Sequence, residues 1–182
     1  MLIGPEIPKT KQQIWKGLFK TLETTPFDKV TINQICSAAD VSRTTFYRHY
    51  VDKFALIEKI NLYYAEQLRM FSKRRQNLTD LTVILLELSD FFQSNAEEIS
   101  ACLGITDIPN PLQDQVNQVL HDEFTYFIEN HPAIGIRMNL PLDYSANLYV
   151  AISMAFLTYA LTDEITPEII QSLDFMQKYL FY

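Results

Sequence analysis

The residues best equipped for chemistry fall in nine consecutive positions, "SRTTFYRHY", from Ser42 to Tyr50. Two guanidinium groups, an imidazole, three small hydroxyl side chains and three aromatic rings stand together without a carboxylate. Arginine can make a bidentate contact to guanine, and threonine can offer a hydroxyl to a base edge or a methyl to thymine. The plain alternative for so short a stretch is a solvated helix face. Other reactive groups do not assemble. His121, Asp122 and Glu123 are neighbours in sequence, but adjacent helical residues point to different sides and cannot converge on one metal. His131 precedes Pro132 and belongs to a helix end. With neither a glycine-rich phosphate loop nor a nucleophile motif, no catalytic residue, metal or cofactor is expected.

Charge narrows the choice of partner. Residues 1–75 hold 13 Lys and Arg against 7 Asp and Glu, a net of +6. Residues 76–182 hold 2 against 15, a net of −13, and together these give the overall −7. A basic first part on an acidic remainder suits a polyanion contact confined to one end, or a surface whose solvated charges happen to segregate. No basic segment followed by an apolar run opens the chain, and no run of 18 apolar residues occurs, so neither export nor a membrane is expected and the reading is cytoplasmic. Cys36 and Cys102 lack a CxxC spacing and read as reduced core thiols.

The elements that must position the nine residues are helices. Four glycines in 182 residues and scattered prolines disfavour a turn-rich β fold. Ile14, Trp15, Leu18, Phe19 and Leu22 share one face of a helix that stops before Pro26. Thr31 can cap a second helix, Ser42 a short third, and Asp52 a fourth running from Lys53 towards Arg75, with a basic, exposed end at Lys73–Asn77. Further apolar periods predict helices over 79–94, 96–103, 112–129, 143–161 and 167 to the end, with Pro167 at a first helical position. The expectation is an all-α chain of about nine helices. It divides into a three-helix helix-turn-helix domain at 1–54 and a second helical domain at 55–182.

Helix, three-residue break and short helix is the helix-turn-helix pattern, whose second helix must bury one side and leave the other for the major groove. At about 100° per residue, Phe46 and Tyr50 fall on one side of the 42–50 helix, and Arg48 falls opposite them, flanked by Thr44 and Thr45. His49 and Tyr47 lie at the edges, where they could reach phosphates, with Tyr47 open between that role and packing. Ile35, Ala39, Val41, Phe46 and Tyr50 are the expected helix-turn-helix core. Lys53, just inside the next helix, could join free backbone N–H groups in holding a phosphate.

The segment "PFDKVTINQICSAADVSRTTFYRHYVDKFALIEKI", Pro26 to Ile60, resembles the DNA-binding region of the tetracycline-repressor (TetR) family. The matching positions are Val30 and Thr31, then Ala39, Asp40, Val41 and Ser42, then Thr45 to Tyr50, and finally Lys53. Asp40 stands where glycine is frequent, and aspartate tolerates the left-handed turn better than most residues. Thr44 also replaces a frequent glycine, which bears on base preference. The resemblance covers roughly the first third of the chain. It implies that Arg43, Thr44, Thr45, Tyr47 and Arg48 face the groove of double-stranded DNA and that His49 and Lys53 hold phosphates.

The resemblance further implies a homodimer formed through the last two helices and often a ligand cavity among the middle ones. Candidate interface residues are Val150, Met154, Ala155, Leu173, Met176 and Leu180. Candidate pocket residues are Tyr63, Tyr64, Phe91, Phe92, Cys102, Phe124 and Phe127, although aromatic stripes at helical spacing serve a core equally well. Two functional readings follow: a repressor released from a palindromic operator by a small-molecule effector, or a DNA-binding activator or architectural factor whose acidic C-terminal domain docks a protein partner.

Overall fold

The computed structural model describes residues 7–75, 81–133, 135 and 139–181, with the side chains of residues 75, 81, 82, 174 and 177–181 also outside the description. Among the described residues the chain forms nine α-helices and one 3₁₀ turn: α1 (Lys9–Leu22), the turn (Phe27–Lys29), α2 (Ile32–Ala39), α3 (Arg43–His49), α4 (Lys53–Arg75), α5 (Leu81–Ser94), α6 (Ala96–Leu103), α7 (Leu112–Asn130), α8 (Leu142–Thr162) and α9 (Pro167–Phe181). Helical backbone appears again at Pro132, Ala133 and Gly135. The basic end expected at Lys73–Asn77 is helical through Arg75, and residues 76 and 77 lie outside the described ones.

Local chemistry accounts for the first boundaries. Thr31 forms a capping box with Gln34: its hydroxyl accepts from the Gln34 N–H at 3.3 Å while its own N–H donates to Gln34 Oε1 at 2.9 Å. Asp40 ends α2 in the left-handed conformation, φ 52° and ψ 47°, and the Val41 N–H reaches back to the Cys36 carbonyl at 3.0 Å. Ser42 accepts from the Thr45 N–H at 3.0 Å to start α3, and Asp52 accepts from the Ala55 N–H at 2.7 Å to start α4.

Packing then closes the first three helices. Gly17 lets α1 lie against α2, since a Cβ there would stand 2.6 Å from Ala39 Cβ and 2.7 Å from the Ile35 carbonyl oxygen. Ile14, Leu18, Ile35 and Phe46 are fully buried between the helices. One hydrophobic cluster continues without a break from Ile14 into the C-terminal helices as far as Leu173. α4 crosses the expected 54/55 domain boundary within its first turn.

The last helices correct one expectation. Leu173, read as an interface residue, is 4% exposed and packs inside the protomer with Ile170, because the inward phase of α9 falls on 170 and 173. Phe175 and Met176 take the outward phase. Ala155 is exposed, Val150 and Met154 are half-buried, and the Leu180 side chain lies outside the described ones. α8 is long and apolar enough, by length and composition, to cross a membrane, yet it packs on α5, α6 and α7.

Candidate nucleic-acid interface

α3 divides as its helical phase requires. Phe46 and Tyr50 are buried, whereas Arg43, Thr44, Tyr47 and Arg48 are exposed and Thr45 and His49 half-buried. Arg43 lies over the Tyr47 ring at 5.8 Å and donates to its hydroxyl at 3.4 Å, so the two form one exposed cationic and aromatic unit. The Tyr47 ring meets Phe46 edge-on at 5.7 Å, so this side chain packs at its base and presents its hydroxyl outward. Thr45 sits within 2.9 Å of the Ser42 hydroxyl and is thereby tied to the cap. Arg48 is the outward-facing cation of the last turn.

Of the residues expected to form the helix-turn-helix core, Ile35, Ala39, Phe46 and Tyr50 are buried and Val41 is half-buried. Burial pushes the Tyr50 phenol above its ordinary range, partly offset by the hydrogen bond it accepts from Trp15. Cys36 and Cys102 are free and buried, and burial pushes both thiols up.

Lys53 is seated differently from its expected role. Its ammonium donates to the carbonyls of Phe27 at 2.7 Å, Asp28 at 2.8 Å and Val30 at 2.9 Å, and lies over the Phe27 ring at 5.0 Å. An ammonium has three N–H donors, and here all three are spent on the carbonyl end of the 3₁₀ turn. Lys53 therefore ties the turn to the start of α4 and has no donor left for a phosphate. Its place in the helix suggested the phosphate; the flexible stem carries the charge back instead.

Sequence reasoning missed Gly17 altogether and, for Trp15, gave the apolar face but not its hydrogen bond. Gly17 sits in mid-helix in a chain with few glycines, which is itself a sign of close approach. Trp15, the only tryptophan, donates its indole N–H to the Tyr50 hydroxyl at 2.9 Å in the interior. A buried indole needs such an acceptor, but the sequence does not say which one.

The expected pocket residues separate. Tyr64, Phe91 and Phe92 line a cavity of about 20 Å³ with Ile99, Val116 and Met154. Cys102 is fully buried, Phe124 stacks on Tyr149 at 5.2 Å, Phe127 stacks on His131 at 4.4 Å, and Tyr63 meets the edge of Trp15 at 5.3 Å. A second cavity, of about 40 Å³, lies among Leu68, Phe71, Leu120, Tyr149, Ser153 and Leu173. Each has room for a few waters at most, against the ~300–1,000 Å³ typical of sites for drug-sized molecules.

Comparison with known proteins agrees with this geometry. Residues 16–60 match the family of bacterial regulatory proteins, tetR family. A sequence search finds no match among curated proteins. Among solved structures, GusR of Salmonella enterica aligns with a TM-score of 0.67 at 18% identity over 97% of both chains. NalD of Pseudomonas aeruginosa, the secondary repressor of the MexAB-OprM multidrug efflux pump, aligns at 0.65 and 14% identity over 95% of each. A protein from Syntrophomonas wolfei described as a TetR-family transcriptional regulator aligns at 0.61 and 20% identity, over 94% of this chain and 95% of that one. Residues 16–60 thus match the helix-turn-helix segment of the bacterial regulatory proteins, tetR family, and the chain as a whole has the fold of the solved TetR-family regulators.

Proposed function

We propose that the protein is a homodimeric, cytoplasmic repressor without catalytic activity, which places the α3 helices of its two protomers in successive major grooves of a palindromic operator. The observation that carries this reading is the split of α3: a donor-rich face of Arg43, Thr44, Tyr47 and Arg48 stands outward on a helix anchored by Phe46 and Tyr50. Residues 1–54 form the reading head and 55–182 the body that pairs and regulates it. Selection of duplexes from a randomised library tests this, and should return a palindrome with half-sites about 34 Å apart, or a multiple. Arg48→Ala should then cost about 1–3 kcal/mol on the selected duplex and relax preference at one base pair per half-site. Titrations that leave Arg48→Ala as tight and as selective as the wild type remove α3 from the base-reading role.

Pairing is supported by α8 and α9. The most apolar stretch of α8 is only 39% buried within one protomer, and Ala151, Ala155 and Tyr159 of α8 stand exposed, as do Phe175 and Met176 of α9. Small residues allow a second copy to approach closely, and a two-fold contact suits a palindromic site. Ala155→Arg should yield monomers by sedimentation and at least about a tenfold loss of operator affinity, since two linked heads bind far more tightly than one. A surviving dimer would move the interface elsewhere.

The effector reading is supported by the cavity at Tyr64, Phe91 and Phe92, which sits between α4, α5, α6, α7 and α8. At its present size a drug-sized molecule would have to part these helices, and that displacement is the signal that respaces the heads. The alternative, a DNA-bound factor whose acidic body docks a protein partner, draws on the same closed interior and on the net charge of −13 over residues 76–182.

A further inference from the structure

Between the reading helix and the C-terminal cavity runs a chain of aromatic contacts that passes through α1 rather than along α4 alone. Tyr50, the residue that ends α3, packs on Phe46 at 5.8 Å and accepts the Trp15 indole N–H at 2.9 Å. Trp15 meets Tyr63 of α4 edge-on at 5.3 Å, and Tyr63 meets Tyr64 in the same manner at 5.3 Å. Tyr64 lines the cavity, lies 6.3 Å from Phe91, and donates its hydroxyl to Glu98 of α6.

The polar links at the two ends give this chain directionality. Trp15, Tyr50 and Tyr64 are all buried, so neither the indole N–H nor either phenol can exchange its partner for bulk water without cost. Glu98 is half-buried on α6, which touches both α1 and α4. A group entering beside Tyr64 must move the ring, the Glu98 contact or both. Tyr63, the middle ring, is half-buried, packs against the core and is held edge-on by Trp15 and Tyr64 on its two sides, so a shift of one ring is passed to the other through close contacts.

We infer that Trp15 and Tyr64 are positioning residues of a relay, in which the Tyr64–Glu98 hydrogen bond sets the seat of Tyr50 and hence the pose of α3. The inference rests on the reading of α3 as the DNA-reading helix and of the Tyr64 cavity as the regulated site. Ordinary core packing would stabilise the same helices without coupling the two ends, and coupling is what an experiment can separate.

Because Trp15 is the only tryptophan, it reports on the middle of the relay with no added label. Tyr64→Phe removes the hydroxyl and keeps the ring; Tyr50→Phe does the same at the other end; Glu98→Gln, which keeps shape and an acceptor, serves if Tyr64→Phe fails to fold. Tryptophan emission and acrylamide quenching, excited where tyrosine does not absorb, should change in Tyr64→Phe or Glu98→Gln without DNA present, although neither position is in ring contact with Trp15. On a duplex selected by the wild type, Tyr50→Phe and Tyr64→Phe should each weaken binding, and the double variant should depart from the product of the two by about threefold or more. Unchanged Trp15 emission together with affinities that multiply overturns the relay. If the wild type selects no duplex, the DNA reading falls by itself, and the Trp15 emission of the Tyr64 and Glu98 variants still decides whether the ends are coupled.

Discussion

Lys53→Met should lower the stability of the protein by about 2–4 kcal/mol, because it takes the ammonium from the carbonyls of Asp28 and Val30 and leaves the Phe27 carbonyl with the Val30 N–H alone. For a chain of this length that corresponds to a fall of roughly 5–15 °C in the unfolding midpoint. Methionine keeps most of the aliphatic stem, so the loss reports on the ammonium rather than on packing. The same variant should leave the salt dependence of DNA binding unchanged when measured cold, where the folded form dominates. A phosphate-bound lysine would behave in the opposite way: its removal would lower the slope of log affinity against log salt by about 0.9 for each bound protomer and hardly move the midpoint. Thermal unfolding followed by circular dichroism, beside titrations at several salt concentrations, separates the two roles.

Gly17→Ala should be nearly as damaging with the addition of a single methyl group. That methyl would stand 2.6 Å from Ala39 Cβ and 2.8 Å from the Ala39 backbone nitrogen, and backbone cannot rotate out of the way as a long side chain can. Alanine is the better helix former by about 1 kcal/mol, so an isolated α1 would be stabilised. Overpacking and the separation of α1 from α2 outweigh this, for a net loss of about 1–3 kcal/mol. Ala39 and Ile35 lead directly into the turn before α3, so DNA affinity should fall with stability. An unfolding midpoint at or above that of the wild type would show that α1 can slide without disturbing α2.

These two residues also mark where legibility in the sequence stops. Thr31, Ser42 and Asp52 announce the starts of α2, α3 and α4 because capping is a matter of residues three apart, and all three caps form. The faces of α3 follow from a rotation of about 100° per residue, so the burial of Phe46 and Tyr50 and the exposure of Arg48 need no tertiary information. Lys53 is different in kind. Its helical position is legible, but its four-carbon stem can reach forward to a phosphate or back to the carbonyls of residues 27, 28 and 30, and only the fold brings those carbonyls near. The aromatic candidates divide for a similar reason. Helical spacing puts Tyr63, Phe124 and Phe127 inward as readily as Tyr64 and Phe91, and whether a ring meets a void or a neighbouring ring depends on the helix packed against it. Leu173 shows that phase inside a helix is legible while the identity of the surface it faces is not.

α4 begins at the DNA-reading end and continues for 23 residues without a break. At 1.5 Å per residue it is a rod of about 34 Å, with its first turn beside the turn cradle of Lys53 and its body against α5 and α7. A tilt of only about 5° over that length displaces one tip by about 3 Å, close to the 3.4 Å that separates successive base pairs along a strand. On the proposed reading of α3, a movement too small to enlarge either interior cavity appreciably would shift a reading head by nearly one base pair.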